Sequence, residues 1–133
     1  MSEIDEIRVK FESGQLDSIK VDLERFLIAH REDILRYRVE QETKGLAMTS
    51  EAAVKFYILR QRSVNPGRDI RDQLDEIQKE KWIRGVQSGS PPDAQAVARE
   101  WARSCSAGWR SHRVTTIIYV FERDKERYLK LLA

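Results

Sequence analysis

Apolar residues recur every three or four positions along almost the whole of this chain, and the residues that break helices are few and clustered. Only six of its 133 residues are Gly and three are Pro. They gather at Ser13-Gly14, Gly45, Asn65-Pro66-Gly67 and Gly85 to Pro92. A period near 3.6 between sparse breaks specifies amphipathic helices, where a period of 2 would specify strands. The expected fold is therefore all-α, a bundle of five or six helices, and a length of 133 residues suits a single domain over residues 1–133.

The segments follow from the breaks. Ile4, Ile7 and Phe11 give a short helix over residues 3–12. A long central helix is expected from Gln15 to Lys44, with Leu16, Ile19, Leu23, Phe26, Leu27, His30, Ile34 and Tyr37 on one face. A thinner second stripe, Val21, Ile28 and Leu35, predicts neighbours on two sides of it. The third helix follows the capping pair Thr49-Ser50, with Glu51 in its first turn, and reads as well buried because only Lys55 is polar between Ala52 and Leu59. The fourth, residues 68–86, carries a narrow stripe of Ile70, Leu74 and Ile77 and an otherwise charged surface, which predicts a peripheral helix. The fifth starts with Ser90 as cap and Pro91-Pro92 in the first turn. Its apolar side holds Ala94, Val97, Trp101, Cys105, Gly108 and His112. The phase of the pattern then changes, so a turn is expected near residues 108–113. The last segment aligns Val114, Ile117, Ile118, Phe121, Tyr128, Leu129 and Leu132. Thr115 to Phe121 alone would pass for a strand, but the stripe continues in helical phase and predicts helix.

Composition narrows the function. Leu, Ile, Val and Phe together make up about a quarter of the chain, enough to bury a core. A net charge of +2 excludes a protein that wraps polyanions in bulk. The single cysteine, Cys105, excludes a disulfide scaffold and fits a reducing, cytoplasmic setting. No apolar run approaches the ~18 residues of a membrane span, and Met1 to Lys10 shows no apolar signal core. No membrane partner is expected.

Catalytic signatures are missing. Gly85-x-x-x-Gly89 lacks the Lys-Ser or Lys-Thr of a phosphate loop, and no G-x-S-x-G elbow occurs. Cys105 and His112 stand seven residues apart on one helix, about 10 Å, too far to share a zinc ion. His30 and His112 read as histidines of apolar faces, and Cys105 as a small buried residue. Acid pairs such as Glu32-Asp33 read as solvated surface. No enzyme activity, metal or cofactor is expected.

The sharpest functional lead is basic. Arg99, Arg103, Arg110 and Arg113 fall within about 80° of one helix side and span about 21 Å. Trp109 flanks them, and Glu100 is the only acid between Arg99 and Arg113. Arginine forks suit phosphate or carboxylate, so this face is either ordinary solvated surface or a surface for an acidic partner or nucleic acid. Trp101 reads as core. Trp82 and Trp109 lie off their stripes, where a tryptophan seals a groove or forms an interface.

Phe26-Leu27 followed by Arg31-Glu32-Asp33-Ile34-Leu35-Arg36-Tyr37 resembles the opening of the helical N-terminal sensory domains of RsbR-type stressosome regulators. Val97-Ala98-Arg99-Glu100-Trp101-Ala102 through Gly108, followed by a final apolar helix, is similar in layout. The resemblance covers about 40 residues and implies a globin-like, haem-free, dimeric helical module. The resulting expectation is a non-enzymatic regulatory or scaffolding module that acts through protein–protein contacts as a homodimer, with a further protein partner. The alternative is a helical nucleic-acid binder using Arg99, Arg103, Arg110 and Arg113.

Overall fold

The computed structural model describes residues 3–133, with side chains from residue 14 onward. The stripe expected at Ile4, Ile7 and Phe11 lies outside the described side chains. The fold is all-α, 84% helical, with seven α-helices and no strand among the described residues. In chain order they are α1 (Glu3–Ala29), α2 (Arg31–Thr43), α3 (Ser50–Gln61), α4 (Pro66–Ser88), α5 (Ala94–Ser104), α6 (Ser106–Arg123) and α7 (Lys125–Leu129), with a 3-10 turn at Lys130–Leu132. The chain divides into two compact units, one of α1 residues up to Ser18 with Pro66–His112, the other Ile19–Asn65 with Arg113–Ala133.

Helix boundaries differ from expectation where local interruptions proved weaker or stronger than their composition suggests. Ser13-Gly14 does not end a helix, because a single interior glycine costs only about 1 kcal/mol relative to alanine, and α1 runs through it. The long helix breaks instead at His30, whose backbone leaves the helical region (φ −105°, ψ 13°). The chain continues at once, since the Ile34 amide still donates to the His30 carbonyl. Thr49 caps α3 as its residue type predicts, its hydroxyl accepting from the Ala52 amide at 3.1 Å. α5 is capped by Asp93, not Ser90; the Asp93 carboxylate accepts from the Gln95 amide at 2.9 Å, and Pro91-Pro92 lie outside the helix. The phase change between α5 and α6 falls at Cys105, earlier than residues 108–113. Thr115 to Phe121 is helical, inside α6.

The second unit holds the apolar core. Ile19, Leu23, Phe26, Leu27 and Ile34 meet Val54, Tyr57 and Ile58 of α3, together with Ile117, Phe121, Tyr128 and Leu132. The main stripe of α1–α2 and the final stripe thus meet in one interior. Phe26, His30 and Tyr57 form an aromatic cluster, with ring centroids 4.5 Å apart for Phe26–His30 and 5.7 Å for Phe26–Tyr57. Arg38 ties α2 to the start of α3, donating to the Met48 carbonyl and the Ser50 hydroxyl, each at 2.9 Å. The thinner stripe is not buried. Val21 and Ile28 are exposed, as is Leu16. The buried residue beside them is Asp22, whose carboxylate accepts from the Asn65 side-chain amide at 3.2 Å. α3 is covered on one side only, with Phe56 and Leu59 exposed.

The first unit is built differently. Among its described side chains only Ile83 and Val97 are buried hydrophobics, while Asp72 and Glu76 of α4 are also buried. Glu76 accepts from the Gln15 side-chain amide at 3.1 Å and pairs with Lys79. Arg84 of α4 donates to Glu100 of α5 at 3.0 Å. Ile70 and Leu74, expected to face a core, are 63% and 60% exposed.

Candidate functional site

On the wheel of α4, Ile70, Leu74, Ile77 and Lys81 share an arc of about 60°, and Asp72, Glu76, Lys79 and Ile83 share the opposite one. The burial order is inverted with respect to polarity. The arc carrying two carboxylates and an ammonium is the covered one, and the aliphatic arc is the wet one, with Ile77 half-buried at its middle. The polar arc is held in place by the Gln15–Glu76–Lys79 contacts.

The C-terminal end of α4 adds a cleft. Gly89 takes a left-handed conformation (φ +71°), which lets its amide close on the Gly85 carbonyl at 3.0 Å and reverses the chain. The Ser88 hydroxyl, accepting from the Ser90 amide, secures the reversal. Ser90, Pro91 and Pro92 then come back beside α4, with Pro92 Cδ 3.8 Å from the place a Gly85 side chain would occupy. The result is an open cleft of about 590 Å³ with Trp82, Val86, Pro91 and Pro92 as its apolar walls. Trp82 is 59% exposed. Lys81, also in the lining, has no ion pair among the described residues.

The expected arginine surface is dispersed. Arg99 and Arg103 are exposed on α5, and Arg110 is exposed on α6, where it donates to the Ser106 hydroxyl at 2.7 Å. Arg113 is only 4% exposed and lies in the second unit. The four do not form one stripe, because the helix that would align them is interrupted at Cys105. Trp109 is half-buried. Trp101 is also half-buried, with its indole N–H buried and without a hydrogen-bond partner. Cys105, expected to be buried, and His112, expected on an apolar face, are both exposed, because α5 and α6 do not share one covered side.

His30 is partly covered. Its Nδ1 lies 3.1 Å from the Tyr57 hydroxyl and 3.8 Å from an Asp33 carboxylate oxygen. Its ring packs against Phe26 and Tyr57 at the α1–α2 break. Lys55 bridges Glu51 and Glu122, and the hydrogen bond it donates to Glu122 foremost raises its pKa above the ordinary lysine value. The Lys55 hydrogen bond holds Glu51 below the ordinary carboxylate value. These are surface pairs that stitch α3 to the end of α6.

Sequence reasoning found the residues of the α4 stripe but gave them the wrong neighbour. It missed the cleft, whose only sequence sign was the Gly85 to Pro92 cluster beside an off-stripe Trp82. No protein-family model, no curated protein and no solved structure matches the chain. No described helix is long and apolar enough to cross a membrane.

Proposed function

We propose that this chain is a non-enzymatic helical module, regulatory or scaffolding in role, that acts through protein–protein contacts in the cytoplasm and associates with itself. One observation carries the reading: α4 turns Ile70, Leu74 and Trp82 to solvent while it covers Asp72 and Glu76. Exposed aliphatic residues in a row along a helix mark a protein-binding surface more often than scattered ones do. Among the described side chains of the first unit only Ile83 and Val97 are buried hydrophobics, and an added apolar contact outside them stabilises the folded unit. The resemblance to dimeric RsbR-type sensory domains points the same way.

The nucleic-acid alternative keeps the exposed Arg99, Arg103 and Arg110 but loses Arg113 to burial. Sedimentation at rising salt, with and without a random single-stranded oligonucleotide, separates the two. Apolar self-association should change little between 50 and 200 mM salt, whereas phosphate-driven binding should weaken steeply. A monomer that binds the oligonucleotide at low salt and releases it at high salt would overturn the protein-contact reading in favour of the alternative.

A further inference from the structure

The cleft at the end of α4 carries one charge. Of its lining residues only Lys81 is ionised, and none is acidic. Lys81 is half-buried and has no ion pair among the described residues. A helix offers partners at three and four residues' distance, but those positions hold Ile77, Gln78, Arg84 and Gly85, with no carboxylate. The neighbouring cations differ, since Lys79 pairs with Glu76 and Arg84 with Glu100. Gln78 is exposed, and its amide makes no hydrogen bond among the described residues. It stands three residues before Lys81 and four before Trp82, so its side chain neighbours both, with Cβ atoms about 5–6 Å apart. Gly85 leaves the space beside Pro92 open, although its backbone does not require glycine. It is not among the positive-φ residues, and a Cβ there would meet Pro92 Cδ at 3.8 Å and the Ser90 carbonyl at 3.9 Å, ordinary contact distances. Alanine would make the helix more stable; what it would take away is room in the cleft. The opposite wall is stiff, because Pro91 and Pro92 each fix a φ angle and the Gly89 and Ser90 amides are tied back to α4.

We propose that this cleft binds a small aromatic carboxylate. The ring lies on the Trp82 indole against Pro91 and Pro92, and the carboxylate accepts hydrogen bonds from the Lys81 ammonium and the Gln78 amide. The volume of about 590 Å³ falls within the roughly 300–1,000 Å³ of small-molecule sites, which combine apolar walls with a few polar groups that orient the ligand. Trp82 supplies a flat apolar face, which favours an aromatic ring stacked with an offset. Lys81 sets the charge. A cationic ligand would meet it as a like charge, and a neutral one would leave the ammonium without a partner, whereas a carboxylate forms a charge-assisted hydrogen bond with it. The short distance between Gln78 and its two neighbours places the carboxylate one or two bonds from the ring. The cleft opens about 60° round α4 from the Ile70–Leu74–Ile77 arc, so ligand binding and self-association use different sides of the helix and fail separately.

The test uses the full isotope-labelled chain, with naphthylacetate as the probe and magnetic resonance of the indole N–H groups as the readout. The chain has three tryptophans, and Trp82→Phe assigns the resonance of Trp82. Naphthylacetate should shift that resonance with a dissociation constant on the order of 100 μM, and should leave those of Trp101 and Trp109 nearly unmoved. Naphthylacetamide, the same ring without the charge, should bind roughly tenfold more weakly. Lys81→Gln should weaken binding of the acid by a similar factor and hardly change binding of the amide. Gly85→Ala should raise the melting temperature and still weaken binding of both probes, so the loss is not one of folding. Equal affinity for acid and amide, or affinity for the acid that Lys81→Gln leaves unchanged, overturns the carboxylate assignment. A Trp82 resonance that does not move at about 10 mM probe, far above the expected constant, overturns the site. One that moves with chain concentration and not with probe also overturns it, and makes the cleft a contact between copies. Charge-dependent binding by a chain that stays monomeric supports the site and removes only the self-association reading.

Discussion

Replacing Glu76 by Leu should destabilise the first unit although it adds an apolar residue to a covered position. The Glu76 and Lys79 side chains are only 10% and 12% exposed. Removing the carboxylate therefore leaves the poorly hydrated Lys79 ammonium without the acid it pairs with, and removing one member of a buried pair costs about 3–5 kcal/mol. Residual solvent at Lys79 favours the lower end. The Gln15 amide also loses its acceptor, worth about 1 kcal/mol. A loss of about 3–4 kcal/mol lowers the melting temperature of a chain this size by about 10 °C. The double variant Glu76→Leu, Lys79→Met removes both charges, and replacing a buried pair by apolar groups of similar volume is often neutral or stabilising. It should recover most of the loss. Urea denaturation followed by circular dichroism reads both variants. A single variant that costs under about 1 kcal/mol, or a double variant no better than the single, would refute the claim that α4 turns a desolvated polar face inward.

Tyr128 is 1% exposed, and its burial raises the hydroxyl pKa above the ordinary 10.0. The neutral phenol is thus favoured in the folded state, so this stabilisation is complete below pH 10 and is lost as the pH climbs through the raised value. Tyr128→Phe should flatten the alkaline limb of stability against pH. Thr49→Ala removes the α3 cap and should cost about 1 kcal/mol in urea titration; no change would mean that water replaces the hydroxyl at the Ala52 amide. Glu51, held low by Lys55, stabilises above the ordinary carboxylate pKa and loses that contribution as the pH falls through its lowered value. Glu51→Gln should reduce the acid sensitivity of stability, and an unchanged acid limb would count against the pair. Arg103→Glu should shift stability by no more than about 0.5 kcal/mol, because Arg103 is exposed.

The helical class was legible because period and breaks agreed from end to end, and the stripes at Leu23–Phe26–Leu27 and at Ile117–Phe121–Tyr128 do meet in one core. The α1–α2 break at His30 was not legible. No Gly or Pro marks it, and the residue sits among Phe26 and Tyr57 rings that are distant in sequence or on the other side of the turn. The arginine surface looked coherent only on a straight helix. A phase change at Cys105 separates Arg99 and Arg103 from Arg110, and Arg113 turns inward. α4 shows the physical limit most clearly. Ile70, Leu74 and Ile77 announce an apolar face, but periodicity does not say whether that face meets its own chain or another. The deciding residues were Asp72, Glu76 and Gln15, whose covering depends on pairing across elements. The cleft depended on Gly89 reversing the chain so that Pro92 returned beside Gly85.

Exposed Ile70 and Leu74 of α4 should control whether two copies of the chain associate. Sedimentation of the parent chain and of Leu74→Glu, each at 50 and 200 mM salt, tests this most directly. A dimer that is indifferent to salt and dissociates with Leu74→Glu is the predicted result. A chain that stays monomeric at millimolar concentration, or a dimer indifferent to Leu74→Glu, would contradict it.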